Sequence, residues 1–411
     1  MTNPYATEQL VNPHPETGVL PANTRIQAVD ALRGLVMVIM ALDHVRDFFH
    51  SGAMSFQPED LNRTTTALFF TRWITHLCAP TFAFLAGVGA FLWCRRGRNI
   101  GQLSRFLWTR GLWLVLLDLT VVRFAMFFSL ISGPVILSVL WALGWSMVVL
   151  AILVRMPARI VGVFCVAVIL FHNLADPVPA AAFGRAAWIW NILHETGVIP
   201  LHGTVVITAY PLLPWMAVMA AGFCFGRIMV VDRQRRRTWL FRIGTGLILA
   251  FAILRWLNIY GDPQPWSVQP TLAKTVLAFL RTTKYPPSLE FLLMTLGPAL
   301  VIWAWLERVQ LSKCNPLIVF GRVPLFYFIV HLYVIHALTF LFALVSYGTV
   351  GFLRNPLPSL GGSAALYPSG YGYDLTVVYV VWLLVVALMY PPCLFFARLK
   401  DRRRERWLSY V

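Results

Sequence analysis

Long apolar runs separated by short polar breaks make up most of the chain. Runs that approach or exceed the ~20 residues a helix needs to cross a bilayer lie at roughly 30–50, 67–93, 106–128, 134–154, 160–175, 205–230, 239–258, 288–307, 317–345 and 375–397. Two further stretches, 184–200 and 272–282, predict helices that lie in the membrane interface. The pattern therefore predicts an all-α polytopic membrane domain over residues 29–397, with about ten transmembrane helices. A Pro-rich polar arm (1–28), without the apolar core of a signal peptide, precedes it as a flexible cytoplasmic segment, and a basic cytoplasmic tail (398–411) follows. No internal repeat is visible.

Composition agrees with this class. Hydrophobic residues make up 58% of the chain and charged residues 12%, too little polarity to clothe a soluble domain of this size. The net charge of +17 raises the question of nucleic acid, and its distribution answers it. Basic clusters recur at 95–105, 154–159, 232–242, 307–313 and 398–407, which are alternate loops. The intervening loops hold Arg63, Arg185 and Arg354, with Lys274, Arg281 and Lys284 as the densest group. By the positive-inside rule both termini are cytoplasmic, as an even number of spans requires. Most of the charge is then orientation charge, with Lys274, Arg281 and Lys284 the exception. No nucleic acid is expected as a partner, and membrane lipid is, including anionic headgroups at the tail. The six scattered cysteines form no CxxC pair and read as small core residues rather than metal ligands.

Ionisable residues inside apolar helices face a bundle interior or water, because in hydrocarbon each costs at least about 2.5–3.5 kcal/mol. The first segment, DALRGLVMVIMALDHVRDFFHS, carries Asp30, Arg33, Asp43, His44, Arg46, Asp47 and His50. At 1.5 Å rise per residue, His44 lies about 21 Å along its helix, Asp118 about 18 Å and His331 about 21 Å along theirs, with His76 about 18 Å from the cytoplasmic face. Four helices thus bring polar groups to similar depth, which predicts a shared polar cavity in the outer half. Arg33 and His44 share a face, eleven residues apart; Arg72 and His76, at i and i+4, share another. Asp43 is expected to pair with Arg46 or with an arginine on another helix. A histidine in such a cavity suits work as a general base or an acyl-accepting nucleophile, oriented or stabilised as its cation by a carboxylate such as Asp43 or Asp118. No serine elbow, GxGxxG, Walker loop or HExxH is present.

Arg33, ten intervening residues and His44 resemble the signature on the first helix of membrane acyltransferases that O-acetylate bacterial glycans. The chain as a whole is more similar to bacterial members of the heparan-alpha-glucosaminide N-acetyltransferase-like family. The stretches that carry this resemblance are VDALRGLVMVIMALDHVRDFF, TRWITHLCAPTFAFLAGVGAFL, YPLLPWMAVMAAGFCFG, KYPPSLEFLLMTLGP, FGRVPLFYFIVHLYVIH and the closing RWLSYV. The resemblance implies acyl transfer from cytoplasmic acetyl-CoA to a glycan or other small-molecule acceptor across a bacterial cytoplasmic (inner) membrane. Arg33 and Asp30 would hold the cosubstrate. His44 would be base or acyl carrier, tuned by Asp43 or Asp118, and Arg46, Arg72, His76, Asp118 and His331 would line the acceptor side. In the lysosomal animal enzyme the catalytic histidine falls eleven residues later, where Ser55 stands here, so the nearby His50 is the second candidate. The competing class is a transporter or lipid-translocating protein with a charged midplane site, although the paired broken helices and inverted repeats of many transporters are not evident. The sequence leaves the oligomeric state open.

Overall fold

The computed structural model describes residues 26–128, 133–201, 203–355, 357–358, 362–403 and 405. The N-terminal arm up to residue 25 and the closing stretch 406–411 lie outside the described residues.

The protein is mostly helical. In chain order the α-helices are α1 Gln27–Phe49, α2 Thr66–Thr75, α3 Cys78–Cys94, α4 Ile100–Leu117, α5 Arg123–Phe127, α6 Val139–Leu153, α7 Ala158–Phe171, α8 Ala187–Leu193, α9 Leu212–Phe225, α10 Arg233–Leu257, α11 Leu272–Leu280, α12 Leu289–Leu306, α13 Pro316–Arg322, α14 Pro324–Tyr347 and α15 Leu375–Arg402. Seven helical stretches among the described residues are long and apolar enough to cross a membrane: Thr66–Cys94, Ala158–Ala175, Leu212–Val230, Arg233–Leu257, Leu289–Leu306, Pro324–Tyr347 and Leu375–Arg402. The charges on α1 and the 15-residue length of α6 keep these two apart from that set.

Local chemistry explains where several helices begin. The Thr65, Ser288 and Asp374 side chains accept from Leu68 N, Phe291 N and Val377 N, capping α2, α12 and α15. Asn99 and Gln102 form a reciprocal capping box at the start of α4. Between α4 and α5 the chain opens into a π-turn over Asp118–Val122, a feature frequent at functional sites.

α1 is the central element, with contacts to α2, α3, α12, α13, α14 and α15. Its first half is locked to α13 by two glycines. A Cβ at Gly34 would stand 1.8 Å from the Leu317 carbonyl oxygen, and one at Gly321 the same distance from that of Asp30. Without aqueous solvent to drive association, such small residues let backbones approach and gain dispersion contacts.

The apolar run at 205–230 is not helical throughout. Strands β1 Val135–Leu137, β2 Gly197–Leu201 and β3 Thr204–Thr208 form a small sheet, with β3 central, parallel to β1 and antiparallel to β2. The predicted interfacial helix at 184–200 is correspondingly shorter, ending with α8 at Leu193. The unbroken β-branched run of Thr204–Thr208 suits a strand, but a hydropathy pattern merges it with the helix that follows.

Candidate functional site

A cavity of about 890 Å³ opens where the second half of α1 faces this sheet and the loop before α12. α1 contributes Asp43, His44, Arg46 and Asp47. The loop after it contributes Gln57, Glu59 and Asp60, and α2 contributes Arg72. The π-turn and α5 bring Asp118 and Arg123, the sheet brings Ile136, Val198 and Ile207, and the far wall holds Tyr210, Arg281, Thr283, Lys284 and Tyr285.

An ionic ribbon of alternating charge lines one side. Arg46 Nη2 reaches Asp47 at 2.6 Å and Asp43 at 2.9 Å. Arg72 Nη1 donates to both Asp43 oxygens at 2.6 and 2.8 Å, and its Nε donates to Glu59 at 2.9 Å. His76 Nε2 lies 3.2 Å from the same Glu59 oxygen. Asp43 therefore pairs both with Arg46 and with an arginine on another helix. Burial alone would raise the Glu59 pKa. The Arg72 charge and the hydrogen bonds from His76 and Arg72 outweigh it and hold the carboxyl well below its ordinary value.

His44 has a different partner from the one expected. Its Nδ1 lies 2.7 Å from His331 Nε2 on α14, and His331 Nδ1 lies 2.9 Å from the Tyr327 carbonyl oxygen. A carbonyl can only accept, so neutral His331 carries its proton on Nδ1 and offers a bare Nε2 to His44. His44 in turn carries its proton on Nδ1, which leaves Nε2 with a free lone pair. This is the arrangement of a base whose ring is oriented by a second group. The group hydrogen-bonded to His44 Nδ1 is a histidine backed by a backbone carbonyl rather than Asp43 or Asp118. Asp118 is engaged elsewhere: Ser138 Oγ and Ser138 N (3.0 Å) both donate to it.

The remaining predicted residues separate clearly. His76 and His331 stand behind the cavity-lining residues and are buried. Asp30 and Arg33 lie at the other end of α1, where Arg33 Nη1 is 3.6 Å from Asp30 and donates to the Gly321 carbonyl at 3.2 Å; neither lines the cavity. His50 follows the last turn of α1, and its Nδ1 accepts from Gly52 N at 3.0 Å. Burial, and then the nearby Arg46 charge, lower its pKa. Its backbone pairs with Tyr373 in an isolated bridge, and it is absent from the cavity wall.

The far wall was not anticipated as part of the site. Arg255, on α10, donates to the carbonyls of Phe279 (3.0 Å), Gln264 (3.0 Å), Ala278 (3.1 Å) and Arg281, and pairs with Glu290 at 2.9 Å. Asp262 accepts from Thr283 N at 2.7 Å and Ser288 Oγ at 2.6 Å. From the end of α7, His172 Nε2 meets the Pro287 carbonyl at 2.9 Å, and Asn173 Oδ1 accepts from Leu289 N at 2.8 Å. These contacts fix residues 281–289 as a frame. Within that frame Tyr285 Oη lies 3.4 Å from Tyr210 Oη. Burial would raise the Tyr285 pKa, but the charges of Lys284 and Arg72 outweigh it and make Tyr285 the more acidic of the two phenols. The KYPPS stretch and its extra outer-loop cations were the available signals in the sequence.

The architecture is that of an integral membrane protein with a polar cavity, a ribbon of buried ion pairs and an oriented histidine. Residues 25–263 match the family model for the heparan-alpha-glucosaminide N-acetyltransferase catalytic domain, and the chain belongs to that family. Membership points to transferase chemistry in a membrane setting. The matched region contains Asp43, His44, Glu59 and Arg72, whereas Lys284, Tyr285 and His331 lie beyond it. No match to a curated protein was found. Among the described residues no group of three or more His, Cys, Asp or Glu side chains is arranged to hold a metal ion.

Proposed function

We propose that the protein is a transmembrane acetyltransferase that moves an acetyl group from cytoplasmic acetyl-CoA to an amine or hydroxyl of a glycan or small-molecule acceptor in the outer cavity. The observation that carries this reading is the His44–His331 pair at 2.7 Å, beside the cavity in a chain of this family. His44 Nε2 takes the proton of the acceptor as its nitrogen or oxygen attacks the thioester carbonyl. The C–S bond then breaks, and the CoA thiolate leaves and is reprotonated. His331 is a positioning residue that holds the His44 tautomer. The ribbon from Asp47 to His76 holds the wall rigid.

In this reading ten spans place both termini in the cytoplasm, and the cavity faces the opposite side. The lining loops support it: Gln57, Glu59, Asp60 and Arg281–Tyr285 come from the outer loops, and none of the basic clusters lines the cavity. Arg33 then sits at the cytoplasmic end of α1, about 16.5 Å from His44, with Asp30 beside it, where it would hold the CoA phosphates. The membrane would be a bacterial cytoplasmic membrane.

The test is release of free CoA from labelled acetyl-CoA by the protein in lipid vesicles, with a panel of amino sugars and sugar alcohols outside. Acetylated acceptor on the far side supports the reading. No CoA release with any acceptor, from protein that remains folded, would leave the transporter class as the better account.

A further inference from the structure

Lys284 is the feature of the cavity that the proposed chemistry does not use. Its side chain lines the cavity although the residue is only 7% exposed. Among the described residues no carboxylate comes within 4.0 Å of its ammonium. Its near neighbour is Tyr285, whose ring centroid lies 5.0 Å from Nζ and whose phenol oxygen it hydrogen-bonds. An ammonium taken out of water needs a counter-charge, and a phenol replaces only part of what is lost.

The carboxylates that could supply one are engaged elsewhere. Asp43, Asp47 and Glu59 are held by Arg46 and Arg72. Asp118 accepts from Ser138, and Asp60, also on the cavity wall, accepts from Asn62 N. Asp262, in the loop leading to Lys284, accepts from Thr283, Ser288 and Gln264. The backbone around Lys284 is itself fixed by Arg255, Asp262 and His172. The result is a cation on a prebuilt frame with no carboxylate at ion-pair distance, lining a space large enough for a sugar.

We propose that Lys284 binds an oxyanionic substituent of the acceptor: a carboxylate, sulfate ester or phosphate ester carried on the same molecule as the nucleophile. This rests on the acetyltransferase reading for the word acceptor, but not for the existence of the subsite. The donor's phosphates offer the same chemistry. They are assigned to the acceptor's rival because that reading places them at the Arg33 end of α1. A second rival is purely structural: the ribbon has three carboxylates for two arginines, and Lys284 acts on Asp43 electrostatically, so it could serve only as a distant counter-charge.

The experiment uses the full chain in detergent or nanodiscs, as wild type, Lys284→Met and Lys284→Arg. Binding is read by calorimetry and thermal shift, without turnover, using inorganic sulfate, glucosamine, glucosamine 6-sulfate, acetyl-CoA and acetyl-pantetheine. Wild type and Lys284→Arg should be stabilised by sulfate and should bind glucosamine 6-sulfate at least about tenfold more tightly than glucosamine, the effect of one charge-assisted hydrogen bond. Lys284→Met should abolish that preference and leave the ratio of acetyl-CoA to acetyl-pantetheine affinity unchanged. An equal loss for both sugars would assign Lys284 to structure and overturn the proposal. A loss confined to acetyl-CoA would move the anion to the donor and overturn it equally. If Lys284→Met does not fold, wild-type protein indifferent to both sulfate and the sulfated sugar refutes the subsite. Lys284-dependent sulfate binding in a protein that never transfers acetyl groups would keep the subsite and remove the enzyme reading.

Discussion

Arg236 and Arg72 are both buried arginines held by carboxylates, yet their surroundings differ. Arg236, on α10, meets Glu307 in a bidentate pair at 2.8 and 2.7 Å and spends its remaining Nη1 on the Met229 and Val231 carbonyls. That pair is closed, and neither member lines the cavity. Arg72 instead joins two carboxylates on separate segments, Asp43 on α1 and Glu59 in the following loop, and all three face open volume. Removing one member of either pair strands a buried charge, but only the second network shapes a space where chemistry could occur. Burial of charge alone therefore does not mark a site; burial beside a cavity does.

That contrast can be broken in several ways. Arg72→Met and Arg236→Met should each cost about 3–5 kcal/mol of stability, the usual result of leaving a buried charge unpaired. Thermal unfolding of the two variants should fall together, whereas acetyl transfer per folded molecule should collapse only in Arg72→Met. Equal activity in both would dissolve the distinction. His331→Leu removes the acceptor for His44 Nδ1, and turnover should drop about a hundredfold, as expected when a reacting group is misplaced by about an ångström. The KM for acceptor should stay constant, and His331→Gln, which retains an acceptor oxygen, should recover part of the rate.

Glu59 links the ribbon to pH. Its folded pKa lies below the ordinary carboxylate value, so it stabilises the fold fully above about pH 4.5. That contribution is lost as the pH falls from there through the folded pKa. Glu59→Gln should therefore lower stability at neutral pH and flatten the fall of a stability-versus-pH curve below about pH 4.5. The smallest effect belongs to His50. His50→Ala deletes one hydrogen bond to Gly52 and should cost about 1 kcal/mol, with no change in turnover.

Much of the molecule could be read from the chain. The apolar runs located the long helices, and the helical repeat put Arg72 and His76 on one face. In the structure both reach Glu59. What periodicity could not supply was the partner across space. His44 and His331 are 287 residues apart, and depth along two separate helices left an aspartate as the natural orienting group. Glu59 sits in a polar loop with nothing in its local pattern to set it apart. Lys284 stood out only as part of the densest exception to the loop-charge pattern, because a hydropathy plot cannot distinguish a loop cation in water from one turned into a cavity. The strand Thr204–Thr208 was hidden for a similar reason, since only the short stretch to Pro211 separates its Val and Ile residues from the apolar helix that follows.

The central claim is that His44, and not His50 six residues later, is the base. The most direct measurement is the rate of CoA release by purified His44→Asn and His50→Asn proteins in vesicles, with acetyl-CoA binding checked in parallel. The expected result is a loss of about 10²–10⁴-fold in His44→Asn, the usual contribution of a general base, with donor binding retained and His50→Asn indistinguishable from wild type. A fully active His44→Asn, or an inactive His50→Asn that still folds and binds donor, would contradict it.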